Sequence, residues 1–306
     1  MTKKYGFLFL KGMAMGAADV VPGVSGGTIA FITNIYETLI HALSQFNLRA
    51  IQLLLNGQFK EFWSHINGTF LTVLFAGIFT SVLSLATLLS HLLETYPIHL
   101  WSFFFGLVFA SIFIVGKQVS QWRWSTILSF TIGAALAYWI TTLPASSGSE
   151  SYAYLILCGA LAICAMILPG ISGSFILLLL GAYATVLEAI ATREIGMIAA
   201  VGIGAIVGLL SFTKLLKWVF EKYHDLTIAL LSGFLLGSLN KIWPWKEVLV
   251  TFTKHQGTPE EEIVPIVTQN LAPDELWLVA LVLGLTGAAL VFGLEWAGTQ
   301  KSKPIQ

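Results

Sequence analysis

Apolar residues run along this chain in blocks long enough to cross a bilayer, which takes about 20 residues of helix. Unbroken blocks fall at roughly 68–93, 98–116, 124–143, 195–217, 226–243 and 275–296. Tryptophans stand at several block ends, at Trp122 and Trp124, Trp243 and Trp245, Trp277 and Trp296, as in an interfacial aromatic belt. Two further stretches, 6–43 and 153–190, are apolar for nearly forty residues, but each is broken in its middle by a Pro-Gly pair.

The breaks read P-G-V-S-G-G-T at 22–28 and P-G-I-S-G-S-F at 169–175. Proline has no backbone donor and glycine frees the dihedrals, so a helix stops at each. In hydrocarbon such a break survives only where protein or a water-filled cavity satisfies the freed backbone groups. The arm before the first break is too short for a full crossing. Both stretches are therefore expected to be re-entrant helical hairpins, with two full crossings left open for 153–190.

Composition places these blocks in a membrane. Hydrophobic residues make up 56% of the 306, charged residues only 10%, and the formal net charge is zero. Soluble domains carry near a quarter charged residues. A soluble enzyme, a disordered protein and a nucleic-acid binder are excluded. Cys158 and Cys164 lie in one apolar stretch and read as small buried hydrophobes. The six histidines are scattered, so no metal and no cofactor is expected. Residues 1–10 read as the start of the first membrane segment, with no cleavage site for a signal peptide.

The few charges set an orientation. If the first hairpin enters from the cytoplasm, that side holds Lys3, Lys4, Lys11, Arg49, Lys60, Lys117, Arg123, Lys214, Lys217, Lys222, Lys301 and Lys303. The other side keeps Arg193, Lys241, Lys246 and Lys254, an imbalance that obeys the positive-inside rule. Both termini are then expected in the cytoplasm. The acidic 244–274 stretch, with Glu260, Glu261 and Glu262, reads as a solvated outer loop.

The two breaks also align with each other. At an offset of 147 residues, Gly12, Ala18, Pro22, Gly23, Ser25, Gly26, Ile29, Tyr36, Thr38 and Ala42 all meet identical partners. At an offset of 127, Ser84, Leu88, Leu89, Glu94, Tyr96, Gly106 and Ser111 do the same, so the first half has a longer loop around 44–67. Each half, 1–146 and 147–306, then holds one hairpin and three crossings. Three is odd, so the second half is inverted. The expected fold is all-α, an inverted-topology repeat of the kind that builds many secondary transporters.

At each break a helix restarts with Ser and Gly in its first turn, and free amides with the positive dipole end face the membrane centre. The candidate anion site is Gly23, Ser25, Gly26, Gly27 and Thr28 from the first tip with Gly170, Ser172, Gly173 and Ser174 from the second. Close helix packing through small residues is the structural alternative. Ionisable groups inside membrane segments are functional by default. Asp19 therefore stands as a coupling or gating candidate, or as a cap within its own hairpin. Asn34, Glu37, Glu188 and Arg193 are weaker candidates, and Lys11, Glu94 and Glu221 suit interfacial or capping roles equally well.

These residues resemble the PopT family of bacterial polyprenyl-phosphate transporters. G-A-A-D-V-V-P-G-V-S-G-G-T at 16–28 looks like that family's N-terminal signature, and L-P-G-I-S-G-S at 168–174 looks like its repeat. The resemblance covers roughly 6–297. It implies a flippase that returns undecaprenyl phosphate, the C55 lipid carrier, to the cytoplasmic leaflet of the bacterial cytoplasmic membrane for cell-wall polymer synthesis. Its implied partners are this lipid and the bilayer, with a proton or sodium ion as the candidate coupling partner. Two rivals remain. Undecaprenyl-pyrophosphate phosphatases have a similar P-G-x-S-R-S motif, but Gly26 and Gly173 stand where that motif has arginine, and phosphoryl transfer needs positive charge there. An ion-coupled small-anion transporter would use the same tips but needs a polar pathway across the bilayer.

Overall fold

The computed structural model describes residues 2–21, 24–254 and 262–300. The chain opens with helix α1 (Thr2–Val20), which stops at the first Pro-Gly pair. Ser25 is extended and its hydroxyl accepts the Gly27 amide at 3.1 Å, so it caps the restarting helix α2 (Gly26–Ile32). That helix lasts only seven residues before Asn34 takes the left-handed conformation, φ 55°, and turns the chain into α3 (Tyr36–Ser44). The expected 44–67 loop instead holds two short helices, α4 (Leu48–Leu55), capped by Asn47, and α5 (Phe59–His65). Their exposed Leu48, Ile51, Leu55 and Phe59 suit helices lying in a membrane interface.

Helices α6 (Gly68–Thr95), α7 (Pro97–Gly116) and α8 (Trp124–Thr142) match the three apolar blocks of the first half. The second half repeats the opening pattern with α9 (Tyr152–Ile167), α10 (Gly173–Leu179) and α11 (Tyr183–Thr192). Gly181, φ 64°, stands at the position equivalent to Asn34, and α10 and α11 meet there at a bend of 107°. Blocks 195–217 and 226–243 form one continuous run, α12 (Ile195–Ser238), kinked at Tyr223, whose φ of −135° and ψ of 46° are not helical. Among the described residues, α6, α7, α8 and α12 are each long and apolar enough to cross a membrane, and α10 with α11 passes as a bent pair.

The all-α expectation is corrected after α12. Strands β1 (Lys246–Lys254) and β2 (Glu262–Asn270) pair antiparallel, with Lys246 opposite Asn270 and Glu247 opposite Gln269. The runs V-L-V-T-F-T and I-V-P-I-V-T are rich in β-branched residues, which suits strands where a solvated loop was expected. Residues 255–261, which include Glu260 and Glu261, lie outside the described residues; Glu262 opens β2. The hairpin is fastened to the helices: Trp243 Nε1 donates to Leu271 O, Trp245 Nε1 donates to the Asp274 carboxylate, and the Asn270 amide donates to Asn240 O, each at 2.9 Å. Helix α13 (Trp277–Gln300) closes the chain.

Glycines record how the helices approach. A Cβ added at Gly12 would strike the Leu74 carbonyl, and one at Gly159 would strike Val201, the same contact displaced by 147 and 127 residues. Gly77 against Phe9 recurs as Gly204 against Ile156. Gly133 against Leu230 recurs as Gly287 against Phe103. Thus α6 packs on α1 as α12 packs on α9, while α8 and α13 each pack on a helix of the opposite half. Such close approach lets dispersion and weak backbone contacts hold helices together in lipid, where water drives nothing. The largest buried cluster joins α1, α2, α3, α6, α7 and α12 around Leu74, Val108, Ile228 and Leu235.

Candidate functional site: two broken-helix tips

The first tip is sealed. Ser25 and Thr28 are 1% and 0% exposed, and Gly26 and Gly27 are buried. The Gly26 amide donates to Asp19 Oδ1 at 2.7 Å, so the only acidic side chain of α1 occupies the place where an anion would meet the start of α2. A Cβ on Gly26 would lie 2.5 Å from Asp19 Oδ2, so the glycine is needed for that approach. Asp19 thus makes a capping contact with its own hairpin. Gly23 lies outside the described residues.

The second tip is open. Ser172 is extended, its hydroxyl accepts the Phe175 amide at 3.3 Å and lies 3.2 Å from the Ser174 hydroxyl. Met166 stands at the position equivalent to Asp19, so this tip has no carboxylate cap. Gly173 is half-buried and Ser174 is exposed, in contrast to their counterparts Gly26 and Gly27.

The two tips touch. Ser25 Oγ lies 3.2 Å from Met166 O and 3.3 Å from Leu168 O, and donates its one proton between them. In return the Gly170 amide donates to Thr28 Oγ1 at 3.0 Å. A Cβ on Gly27 would come within 2.6 Å of Ile167 O, so no larger residue fits this seam. The carbonyls freed by the proline break in one half are therefore satisfied by hydroxyls of the other. That meets the requirement that exposed backbone at membrane depth be buried in protein. Gly170 itself, φ 88°, packs against Ser238 at the end of α12.

The remaining candidates lie elsewhere. Lys11 Nζ donates to Thr33 O at 2.7 Å, at the C-terminal end of α2, where a cation suits the helix dipole. Asn34 accepts from the Gln118 side chain at 3.1 Å, and Glu37 meets His224 Nε2 at 3.1 Å beside the Tyr223 kink. These two contacts join α3 and its turn to the turn after α7 and to α12. Glu188 and Arg193 are exposed on and just after α11, apart from the seam. Glu221 pairs with Lys217 at 3.8 Å on the surface, and Glu94 is exposed. Cys158 is buried and Cys164 half-buried, and both are free. Among the described residues no group of three or more His, Cys, Asp or Glu side chains is placed to hold a metal ion.

Two cations that the sequence left as ordinary outer charges converge beside the open tip. Lys241 Nζ lies 4.4 Å from the centre of the Phe175 ring, the residue following Ser174. Lys246 Nζ lies 3.6 Å from the Trp101 ring centre and donates to Lys241 O. Burial first, then the neighbouring Lys241 charge, holds the Lys246 ammonium well below the ordinary lysine pKa of 10.5. Spacing along the chain does not reveal this site, because its walls come from α7, α10 and the turn after α12.

Broken, tightly crossed apolar helices of this kind define a polytopic membrane protein. The chain belongs to the family described as VCA0040-like, undecaprenyl phosphate translocase-like, whose model matches residues 15–259. It is 48% identical to a polyprenyl-phosphate transporter of Vibrio cholerae serotype O1 (strain ATCC 39315 / El Tor Inaba N16961), over 96% of this chain and 97% of the relative. It is 33% identical to a polyprenyl-phosphate transporter of Staphylococcus aureus (strain NCTC 8325 / PS 47), over 77% of this chain and 85% of that one. No solved structure matches the chain.

Proposed function

We propose that this protein transports polyprenyl phosphate, with undecaprenyl phosphate as substrate, and returns the lipid carrier from the outer to the cytoplasmic leaflet of a bacterial cytoplasmic membrane. The observation that carries the mechanism is the seam: two broken-helix tips, one from each half, joined by Ser25 to Met166 and Leu168 and by Gly170 to Thr28. A polyprenyl tail is stable anywhere in lipid, whereas its phosphate must be shielded while crossing. A fixed polar joint inside the protein supplies that shield, and the tail stays in the bilayer.

In this proposal the halves 1–146 and 147–306 are inverted repeats, each a re-entrant hairpin followed by three crossings, with both termini cytoplasmic. The recurrence of the glycine contacts at constant offsets supports the duplication, and the sealed and open tips supply the asymmetry a carrier needs at any one moment. The headgroup is handled at the open tip, by Ser174, Ser172 and the Gly173 amide, while the Gly170 amide stays on Thr28 in the seam. The sealed tip, with Ser25, Gly26, Gly27 and Thr28, is the fulcrum. Asp19 holds that tip shut as an internal anion. Its protonation would weaken the charge-assisted bond from the Gly26 amide, which makes it the site for a coupling proton. Asn34 and Glu37 act as a latch through Gln118 and His224, while Glu188 and Arg193 serve the outer mouth.

Transport is preferred over hydrolysis because glycines, Gly26 and Gly173, stand where a phosphatase motif of this type has arginine. Reorientation of a labelled polyprenyl phosphate in proteoliposomes tests the proposal. Folded protein should accelerate leaflet exchange and release no phosphate from the pyrophosphate lipid. Exchange no faster than in protein-free vesicles would end it.

A further inference from the structure

Lys241 and Lys246 have no place in the repeated scaffold. At the offset of 127 residues their counterparts are Ile114 and Val119, both buried aliphatics of the first half. Where one half fills space with hydrocarbon, the other places two ammonium groups. Both are half-buried, and among the described residues no carboxylate lies within ion-pair distance of either. Their partners are the faces of Phe175 and Trp101 and the Lys241 carbonyl. Aromatic faces attract a cation weakly compared with an anion, and two like charges held together out of water are costly.

The surroundings fix what would relieve that cost. Phe175 belongs to α10, one residue beyond the exposed Ser174 hydroxyl, and Gly170 of the same tip packs on Ser238, whose carbonyl accepts the Lys241 amide at 2.8 Å. The hairpin of β1 and β2 is bolted over the same corner by Trp243, Trp245 and Asn270. Two ammonium groups and the faces of Phe175 and Trp101 thus lie beside α10, the helix whose first turn carries the exposed Ser174. A phosphate monoester carries up to two negative charges and three acceptor oxygens, and the apolar walls suit the first isoprene units attached to it.

We propose that Lys241 and Lys246 form a lipid-phosphate receiving site on the hairpin side of the open tip, where the headgroup is neutralised before it reaches Ser172 and Ser174. This rests on the polyprenyl-phosphate proposal and adds to it the residues that capture the headgroup and the side from which they do so. The site is one-sided by construction, since the equivalent positions at the other end carry no charge.

The test is chemical footprinting of the wild-type protein in proteoliposomes with an amine-acetylating reagent, read by mass spectrometry, with farnesyl phosphate, farnesol or inorganic phosphate present. Farnesyl phosphate should slow acetylation of Lys241 and Lys246 at least tenfold, leave Lys60 and Lys214 unchanged, and act at concentrations where farnesol and inorganic phosphate do nothing. Equal protection by inorganic phosphate would overturn the lipid-specific claim, and no protection by any ligand would overturn the site. In a second arm, Lys241→Gln/Lys246→Gln should lower farnesyl phosphate affinity at least tenfold, and Lys241→Arg/Lys246→Arg should restore it. If wild-type protein reorients the lipid and the glutamine variant does so at an equal rate with equal affinity, this site is wrong while the transport proposal stands. If wild-type protein does not reorient the lipid, the transport proposal itself falls.

Discussion

The two tips began from one sequence pattern, Pro-Gly-x-Ser-Gly, and have become different objects. The first is packed shut, with a carboxylate from its own hairpin on the Gly26 amide and a hydroxyl serving the carbonyls of the other half. The second keeps Ser174 exposed beside the buried Ser172 and gathers two lysines at its edge. Identical breaks therefore do not imply identical chemistry. What surrounds a break decides whether its freed amides are spent on the protein or left for a ligand. One substitution between the halves, aspartate at 19 against methionine at 166, carries much of that difference.

The comparison breaks most severely at the seam. Gly27→Val should destabilise the protein by about 3 kcal/mol or more, because its side chain must displace the Ile167 carbonyl and overpacked cores lose energy of this order. Thermal melting in detergent measures it, and Ser174→Val, at the exposed counterpart position of the second tip, serves as the control. Thr28→Val should cost about 1–3 kcal/mol, since it leaves the buried Gly170 amide without an acceptor. Asp19→Ala should cost about 1–2 kcal/mol for the same reason at Gly26, whereas Asp19→Asn keeps an acceptor and should cost less. An Asp19→Asn protein that transports with unchanged pH dependence would remove Asp19 from coupling and leave it a cap.

Ser174→Ala should change stability by less than about 0.5 kcal/mol, as for most exposed substitutions, yet slow lipid reorientation if the open tip handles the headgroup. The smallest effect concerns pH. Because burial lowers the pKa of Lys246 in the folded protein, the unfolded chain binds the proton more tightly. Stability should then rise with pH between that lowered value and the ordinary 10.5, and Lys246→Gln should flatten the rise. A melting profile indifferent to the substitution would show that Lys246 is better solvated than its aromatic enclosure implies.

Much of this was legible in the sequence because it was local. Proline and glycine break a helix wherever they stand, so both breaks were visible, and the offsets of 147 and 127 already held the glycine contacts that recur in the packing. The strand pair at 246–270 was not legible because its β-branched runs are short and flank an acidic segment that reads as a solvated loop. The sealing of the first tip was hidden because sequence shows that Asp19 is near Pro22, and does not show whether it turns toward α2 or away. The lysine pair was hidden for a deeper reason. Trp101, Phe175, Lys241 and Lys246 come from three separate segments, and only the fold brings them together.

The difference between the tips is tested most directly by cysteine accessibility. In a background with Cys158→Ala and Cys164→Ala, Ser174→Cys and Ser25→Cys are labelled separately with a small maleimide in proteoliposomes, with and without farnesyl phosphate. Ser174→Cys should label readily and be protected by farnesyl phosphate, while Ser25→Cys should remain unlabelled in either condition. Equal labelling at the two positions, or protection at Ser25→Cys alone, would contradict a sealed first tip and a ligand-handling second one.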